Sequence, residues 1–380
     1  MKSEDQIAQL PPPDDPPAGV GGSADTPSRA KRVVQGVISS VIVVGIFVGV
    51  MPQFADYAEV WKTITSLTWL ESASLAVVAL WNLATYWFVL VAALPGLRLR
   101  EALVVNQSST AVSNSLPGGG AIGVAVTLAM LTSWGFRVAA ITRSAVVTGI
   151  WNNFVKLGMP IIALGLLTIE GDTSKAWLSA SALGVAVLVG AVAALWMVLR
   201  SDRLARAVGV LLGRLASSIR HLLRRDPVTG WDDRAAGFRR DTVGLLRHRW
   251  LQLTLSTLVS HLSLYVVLLL TLRHLGVSQD EVSWINVLAA FAFVRLISAL
   301  PVTPGGVGVV ELGYAAALTI GLDDSTRAQV VAAILVFRVI TYLFPIPFGA
   351  AAYVVWRRNE SWRLDETERD RLGGDIYDSV

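Results

Sequence analysis

No cysteine occurs in the 380 residues, which removes disulfides, thiolate catalysis and Cys-ligated metals from the chemistries open to the chain. Charge is scarce as well: 16% of residues are Asp, Glu, Lys or Arg, against 53% hydrophobic, and mean hydropathy is +0.57. A soluble domain of this length has no use for so much apolar surface, so the composition predicts an all-α polytopic membrane protein. Catalytic signatures are missing too, with no HExxH, GxSxG or P-loop in the chain. The pairs Asp14-Asp15, Asp232-Asp233 and Asp323-Asp324 stand alone, without the further charged residues that a metal–pyrophosphate site requires. The expectation is a protein that is not an enzyme and uses neither cofactor nor metal. A formal net charge of +4 suits a face against anionic lipid better than a nucleic-acid surface.

What is present is a helix break at membrane depth. Leu300-Pro301-Val302-Thr303-Pro304-Gly305-Gly306-Val307-Gly308-Val309-Val310-Glu311 places a Pro/Gly run between two apolar segments and one carboxylate just beyond it. Proline removes a backbone donor and glycine removes rigidity. Irregular backbone survives in a bilayer only where protein or a wet cavity surrounds it, and transporters use such breaks to bind ions and headgroups. A looser copy, Leu116-Pro117-Gly118-Gly119-Gly120-Ala121-Ile122-Gly123, lies in the first half.

Residues 1–32, rich in Pro, Gly and Ser, read as a disordered tail, and 357–380 as a charged one. Between them, 33–356 is the transmembrane domain. Full spans are predicted at 33–51, 70–94, 144–168, 176–199, 250–272 and 330–356, each near the roughly 20 residues that a crossing needs. Two further stretches, 102–132 and 284–321, carry the breaks, and each is either one broken crossing or a re-entrant hairpin. Arg98 and Arg100 before the first, with Arg137 and Arg143 after it, favour a hairpin. The basic loop 200–249 is the strongest cytoplasmic marker. Leu204, Val208, Leu211, Leu215, Ile219 and Leu222 recur there at helical spacing, so part of it is either an amphipathic helix on the inner leaflet or a solvated helix packed on the domain. Both termini then fall in the cytoplasm of a bacterial plasma membrane. Units 70–168 and 250–356 become inverted repeats with hairpins entering from opposite sides.

Intramembrane charge marks the candidate site. Glu311, predicted a little over one turn into its half-helix, needs a partner at this depth; Arg338 and Arg295 are the candidates. The pair would either lock two helices or switch beside a substrate. Arg295, Arg338 and Lys156, with few acids nearby, suggest an anionic ligand such as a lipid phosphate. The helix start after Gly305 and Gly306 adds free N–H donors, with Pro304 and Gly308 completing the approach. Asn152 and Asn153 precede Lys156, and Tyr342 follows Arg338. Asn106, Gln107, Ser108, Ser109, Ser113 and Asn114 make the arm before Pro117, Gly118, Gly119 and Gly120 unusually polar, for headgroup lining or for packing. His261, among Ser256, Ser260 and Ser263, reads as a satisfied interhelical hydrogen bond.

At PVTPGGVGVVELG (301–313), followed by FRVITYLFPIPFG (337–349), the chain resembles the transmembrane part of lysylphosphatidylglycerol synthases and the related YbhN-like integral membrane proteins, over roughly residues 33–356. In the larger synthases this region is regarded as a lipid flippase joined to a soluble domain that transfers an aminoacyl group to phosphatidylglycerol. Only a short charged stretch follows Trp356 here, so the resemblance implies lipid translocation or a related membrane role without aminoacyl transfer. The family's first Pro-Gly block usually continues into an acidic residue and an Arg. Here Pro117–Val126 has Gly, Ala, Ile and Val instead, which leaves two alternatives: a different substrate, or charge supplied by Lys156. The expected partner is a membrane lipid with an anionic phospholipid or glycolipid headgroup, and no nucleic acid. A second copy or a cell-envelope glycosyltransferase or lipid synthase remains open as a protein partner, and docking such an enzyme is the alternative function.

Overall fold

The computed structural model describes residues 57–116, 119–169, 175–222, 230–298, 303 and 306–359. The predicted span 33–51, the tail 1–32, residues 360–380 and seven residues of the breaks (Pro117, Gly118, Leu300, Pro301, Val302, Pro304 and Gly305) lie outside these. Every regular element among the described residues is helical, as expected where backbone polar groups must be satisfied within the chain.

A short helix α1 (Tyr57–Thr65) leads into α2 (Trp69–Ala93). Thr68 caps α2: its Oγ1 accepts from the Glu71 N–H while Glu71 Oε2 accepts from the Thr68 N–H at 2.8 Å, so two orphan donors are satisfied. Pro95 and Gly96 (φ 84°) end the run. Helices α3 (Leu99–Ser115) and α4 (Gly119–Ser133) follow, then α5 (Val138–Ile169), α6 (Lys175–Arg200), α7 (Asp202–Leu222) and α8 (Trp231–His274). The second half continues with α9 (Trp284–Ile297), α10 (Val309–Leu318) and α11 (Asp324–Arg338), then a π-turn (Val339–Leu343) and α12 (Pro345–Arg358).

Five stretches among the described residues are long and apolar enough to cross a membrane: Trp69–Ala93, Val138–Ile169, Ala182–Arg200, Trp231–His274 and Asp324–Arg358. They match the predicted spans other than 33–51. The helices at the two breaks are short, 17 and 15 residues for α3 and α4, 14 and 10 for α9 and α10. At 1.5 Å per residue they reach only about 15–25 Å, under a bilayer core of about 30 Å.

Instead of continuing, α4 doubles back along α3. A Cβ at Gly119 would lie 2.4 Å from the Ser113 carbonyl oxygen, and one at Gly123 would lie 2.8 Å from that of Ser109. Glycine is required where two backbones pass this closely. Helix α10 likewise lies against α9, with Gly313 facing Val294. Helix α12 packs on α3 at equal closeness, Gly349 facing the Gln107 carbonyl.

The main apolar core joins α5, α8, α9, α10 and α11 through Met159, Leu268, Leu272, Phe291, Tyr314, Ala332 and Ile334. A second core, with Leu97, Val105, Met130, Leu131 and Trp134, ties the ends of α2, α3 and α4 together. By contrast, the described part of α6 buries none of its span in the domain.

In the region 200–249 the helical spacing read at 204–222 is helix α7, and 231–249 is helix as well rather than loop. Helix α7 packs on the first turns of α8, where a Cβ at Gly209 would lie 2.5 Å from the Trp231 carbonyl oxygen. Arg239 pairs with Asp202 at 2.6 Å, Arg143 with Asp241 at 3.2 Å, and Arg206 with Asp233. Helix α8 therefore begins at Trp231 and runs 44 residues without a break. Gly230 in the left-handed region (φ 72°) turns the chain, and Asp232 and Asp233 in the first turn complement the helix dipole.

Candidate functional site

Between the two short-helix pairs lies a cavity of about 540 Å³. Helix α2 contributes Asn82, Leu83 and Tyr86; α3 contributes Asn106 and Thr110; α5 contributes Asn152 and Lys156. From the second half come Ser260, His261 and Leu264 of α8, Val294, Arg295 and Ser298 at the end of α9, and Val310 and Tyr314 of α10. Phe337 and Arg338 close α11, and Thr341 stands on the π-turn. Three cations thus face one space, and none of its lining residues is a carboxylate.

The nearest acid is Glu311, already engaged. Its Oε1 accepts from Arg338 Nε at 2.7 Å, and its Oε2 accepts from the Gly308 N–H at 2.7 Å. Only 3% of the Glu311 side chain is exposed, against 14% for Arg338. Glu311 stands in the first turn of α10, earlier than predicted. The reason is backbone: Gly306 (φ 69°) and Gly308 (φ 83°) hold the chain off the helical path until Val309, conformations open to glycine at no steric cost. The carboxylate therefore serves as helix cap and ion-pair partner at once. The Arg338 guanidinium also lies over the Tyr342 ring, 4.8 Å from its centroid.

Arg295 and Lys156 are held differently. Neither has an ion-pair partner among the described residues, and Arg295 Nε is buried without a hydrogen-bond acceptor. Helix α5 is weakened beside Lys156 because Pro160 has no N–H to return to the Lys156 carbonyl. His261 Nδ1 donates to the Thr257 carbonyl of its own helix at 3.0 Å, while Nε2 is buried without a partner. The interhelical bond expected of His261 is not formed. Asn152 Nδ2 donates to the Thr148 carbonyl and to Tyr86 Oη, at 2.9 and 3.3 Å; Asn82 Nδ2 donates to Ser263 Oγ at 2.7 Å. These bonds fix the polar wall facing the cations.

Of the residues singled out in the sequence, the cavity collects Arg338, Arg295, Lys156, Asn152, Asn106, Ser260 and His261, with Glu311 bound behind one of them. Others lie elsewhere. Asn153 is exposed and bonds back to the Gly149 carbonyl at 3.0 Å. Tyr342 Oη donates to the Asn114 carbonyl at 2.7 Å while Asn114 Nδ2 donates to the Tyr342 carbonyl at 3.0 Å, a clasp between α3 and the π-turn. Gly119 packs against Ser113, and Gly120 is exposed with nothing near its Cβ direction. Gln107 and Ser108 are fully buried, their side-chain polar atoms unpartnered. Asn82, Tyr86, Thr110, Tyr314 and Thr341 were missed. A signal existed for two of them: Asn82 and Tyr86 are four apart in an apolar run, hence on one helix face.

A polytopic all-α membrane protein with broken helices around a cation-lined cavity is the class these observations define. Within it, the chain belongs to the family described as the lysylphosphatidylglycerol synthase TM region, which it matches over residues 36–349. That family relates it to lipid handling in the membrane. No curated relative matches the chain.

Proposed function

We propose that this protein is a lipid translocase that takes an anionic phospholipid or glycolipid headgroup into the 540 Å³ cavity. The observation that carries this reading is the lining itself, with Lys156, Arg295 and Arg338 present, no carboxylate among the lining residues, and Lys156 and Arg295 without an ion-pair partner among the described residues. An unpaired cation at membrane depth costs several kcal/mol, and a headgroup phosphate offsets that cost by pairing with it. The short-helix pairs α3–α4 and α9–α10 act as re-entrant hairpins of opposed units, and rocking of one unit against the other carries the headgroup across. Lipid handling by the family supports the same reading.

Reconstituted in vesicles, the protein should move labelled phosphatidylglycerol between leaflets faster than labelled phosphatidylcholine. Lys156→Met or Arg295→Met should slow that movement at least tenfold. Equal rates for the two lipids, or unchanged rates in both variants, overturn the reading.

A second reading has one observation in its favour. Leu204, Leu211, Leu212 and Leu215 of α7 remain exposed after α7 packs on α8, a stripe suited to docking a cell-envelope glycosyltransferase or lipid synthase. Leu211→Ser with Leu215→Ser would then release such a partner and leave lipid movement intact.

A further inference from the structure

A second cavity, of about 590 Å³, adjoins the polar one. The two share Tyr86, Asn106 and Asn152 as a common wall. Beyond that waist the character changes: Leu90, Val105, Leu128, Leu131 and Ile141 enclose a space between α2, α3, α4 and α5 that holds no charged side chain. Its rim includes Val124 of α4 and Val138 and Val146 of α5, which are 68%, 51% and 40% exposed. The apolar chamber is thus open between α4 and α5 toward the surface that faces lipid in a spanning protein. Both volumes fall in the range of small-molecule sites.

We propose that this chamber is the acyl-chain subsite of the lipid whose phosphate occupies the polar cavity, an inference that rests on the translocase reading above. The lipid lies bent at Tyr86, Asn106 and Asn152. Its phosphate faces Lys156 and Arg295, and one chain runs between α4 and α5 with its end in the bilayer. Two adjoining chambers, one cationic and one apolar, match an amphiphile and leave half the space unused by a soluble anion. Lipid tails are as apolar as leucine, so the chain gains little free energy by leaving the bilayer for this chamber. The subsite therefore adds little affinity by itself; it is the path the chain takes when the phosphate reaches the cations, so a filled chamber excludes the lipid.

Gly149 offers the test. It lines the apolar chamber, and a Cβ built on it meets nothing within 4 Å, so Gly149→Phe starts a bulky side chain from open space beside the chamber. Native mass spectrometry of the purified full chain would follow bound dioleoyl phosphatidylglycerol, and equilibrium dialysis would follow radiolabelled glycerol 1-phosphate, the headgroup alone. Gly149→Phe is expected to weaken lipid binding at least tenfold and to leave glycerol phosphate binding within twofold. Lys156→Met is expected to weaken both. Lipid bound normally by Gly149→Phe, with Lys156→Met still defective, overturns the chain subsite alone; normal binding of both ligands by Lys156→Met and Arg295→Met overturns the headgroup reading beneath it. Should Gly149→Phe not fold, a phosphatidylglycerol with a diazirine midway along one chain decides on the unmodified protein. Cross-links to Leu128, Leu131 or Ile141 support the subsite, and cross-links confined to other helices overturn it.

Discussion

Arg338 Nε and Glu311 Oε1 lie 2.7 Å apart, joining the last turn of α11 to the first turn of α10. The same carboxylate caps α10 through Gly308, so the ion pair is built into the helix break. Of the three cations on the cavity, Arg338 is the one with a carboxylate partner among the described residues.

Substitution separates the two roles of Glu311. Glu311→Gln keeps an acceptor for Gly308 but leaves the Arg338 charge uncompensated, a loss of about 3 kcal/mol by analogy with broken buried pairs. Glu311→Ala loses the cap as well, about 1 kcal/mol more. Adding Arg338→Leu to Glu311→Gln should recover most of the first loss. Thermal unfolding in detergent measures all three, and a double variant no more stable than Glu311→Gln alone would refute the coupling.

Arg295 has no such partner to lose. Removing an unpaired buried charge relieves desolvation without breaking a bond, so Arg295→Met should raise stability by about 1–3 kcal/mol. The same change should weaken binding of phosphatidylglycerol. A fall in melting temperature with binding intact would instead make Arg295 a structural residue.

How far the sequence could be read follows from the kind of signal each residue gives. The break around Pro301–Gly306 was legible because Pro and Gly act locally, whatever packs around them. Arg295, Arg338 and Lys156 were legible because charge in an apolar run is costly and rare. Asn82 and Tyr86 leave only a weaker signal, their shared helix face, since a neutral polar residue in a span serves packing as often as a cavity. Tyr342 touches the site only through its ring, which lies under the Arg338 guanidinium, because the π-turn directs its hydroxyl to the Asn114 carbonyl. The start of α8 reads as cytoplasmic loop because 231–249 is dense in Arg and Asp. Its helicity comes from tertiary packing on α7 and α5.

The start of α11 should be acid-labile. Asp323 Oδ1 accepts from the Ser325 and Thr326 N–H groups at 2.9 and 3.1 Å, and from Ser325 Oγ at 2.7 Å. These bonds, that of the Ser325 hydroxyl first, hold its carboxyl well below the usual aspartate range. The folded value is depressed, so the contribution is complete above about pH 4, the ordinary aspartate value, and is lost as pH falls toward the lowered folded value. Asp323→Asn retains a cap without the titration. Melting temperature should therefore fall less for Asp323→Asn than for the unmodified protein between pH 4 and the acid limit of the detergent, and parallel curves would count against the assignment.

Close backbone contact between α12 and α3 makes the sharpest stability contrast among the glycines. A Cβ at Gly349 would lie 2.0 Å from the Gln107 carbonyl oxygen and 2.6 Å from Ala111 Cβ. The carbonyl belongs to a helix and cannot swing aside, so Gly349→Ala must push α12 off α3 and cost about 1–3 kcal/mol or more. Gly165, about one turn before the end of α5, has nothing within 4 Å of its Cβ direction, and Gly165→Ala should gain up to about 1 kcal/mol from helix propensity. The π-turn that leads into α12 carries the Tyr342 side of the clasp with Asn114, so Gly349→Ala should also slow lipid movement while leaving binding at Lys156 and Arg295 in place. Equal melting temperatures for Gly349→Ala and Gly165→Ala would mean that the two helices do not approach this closely in the membrane.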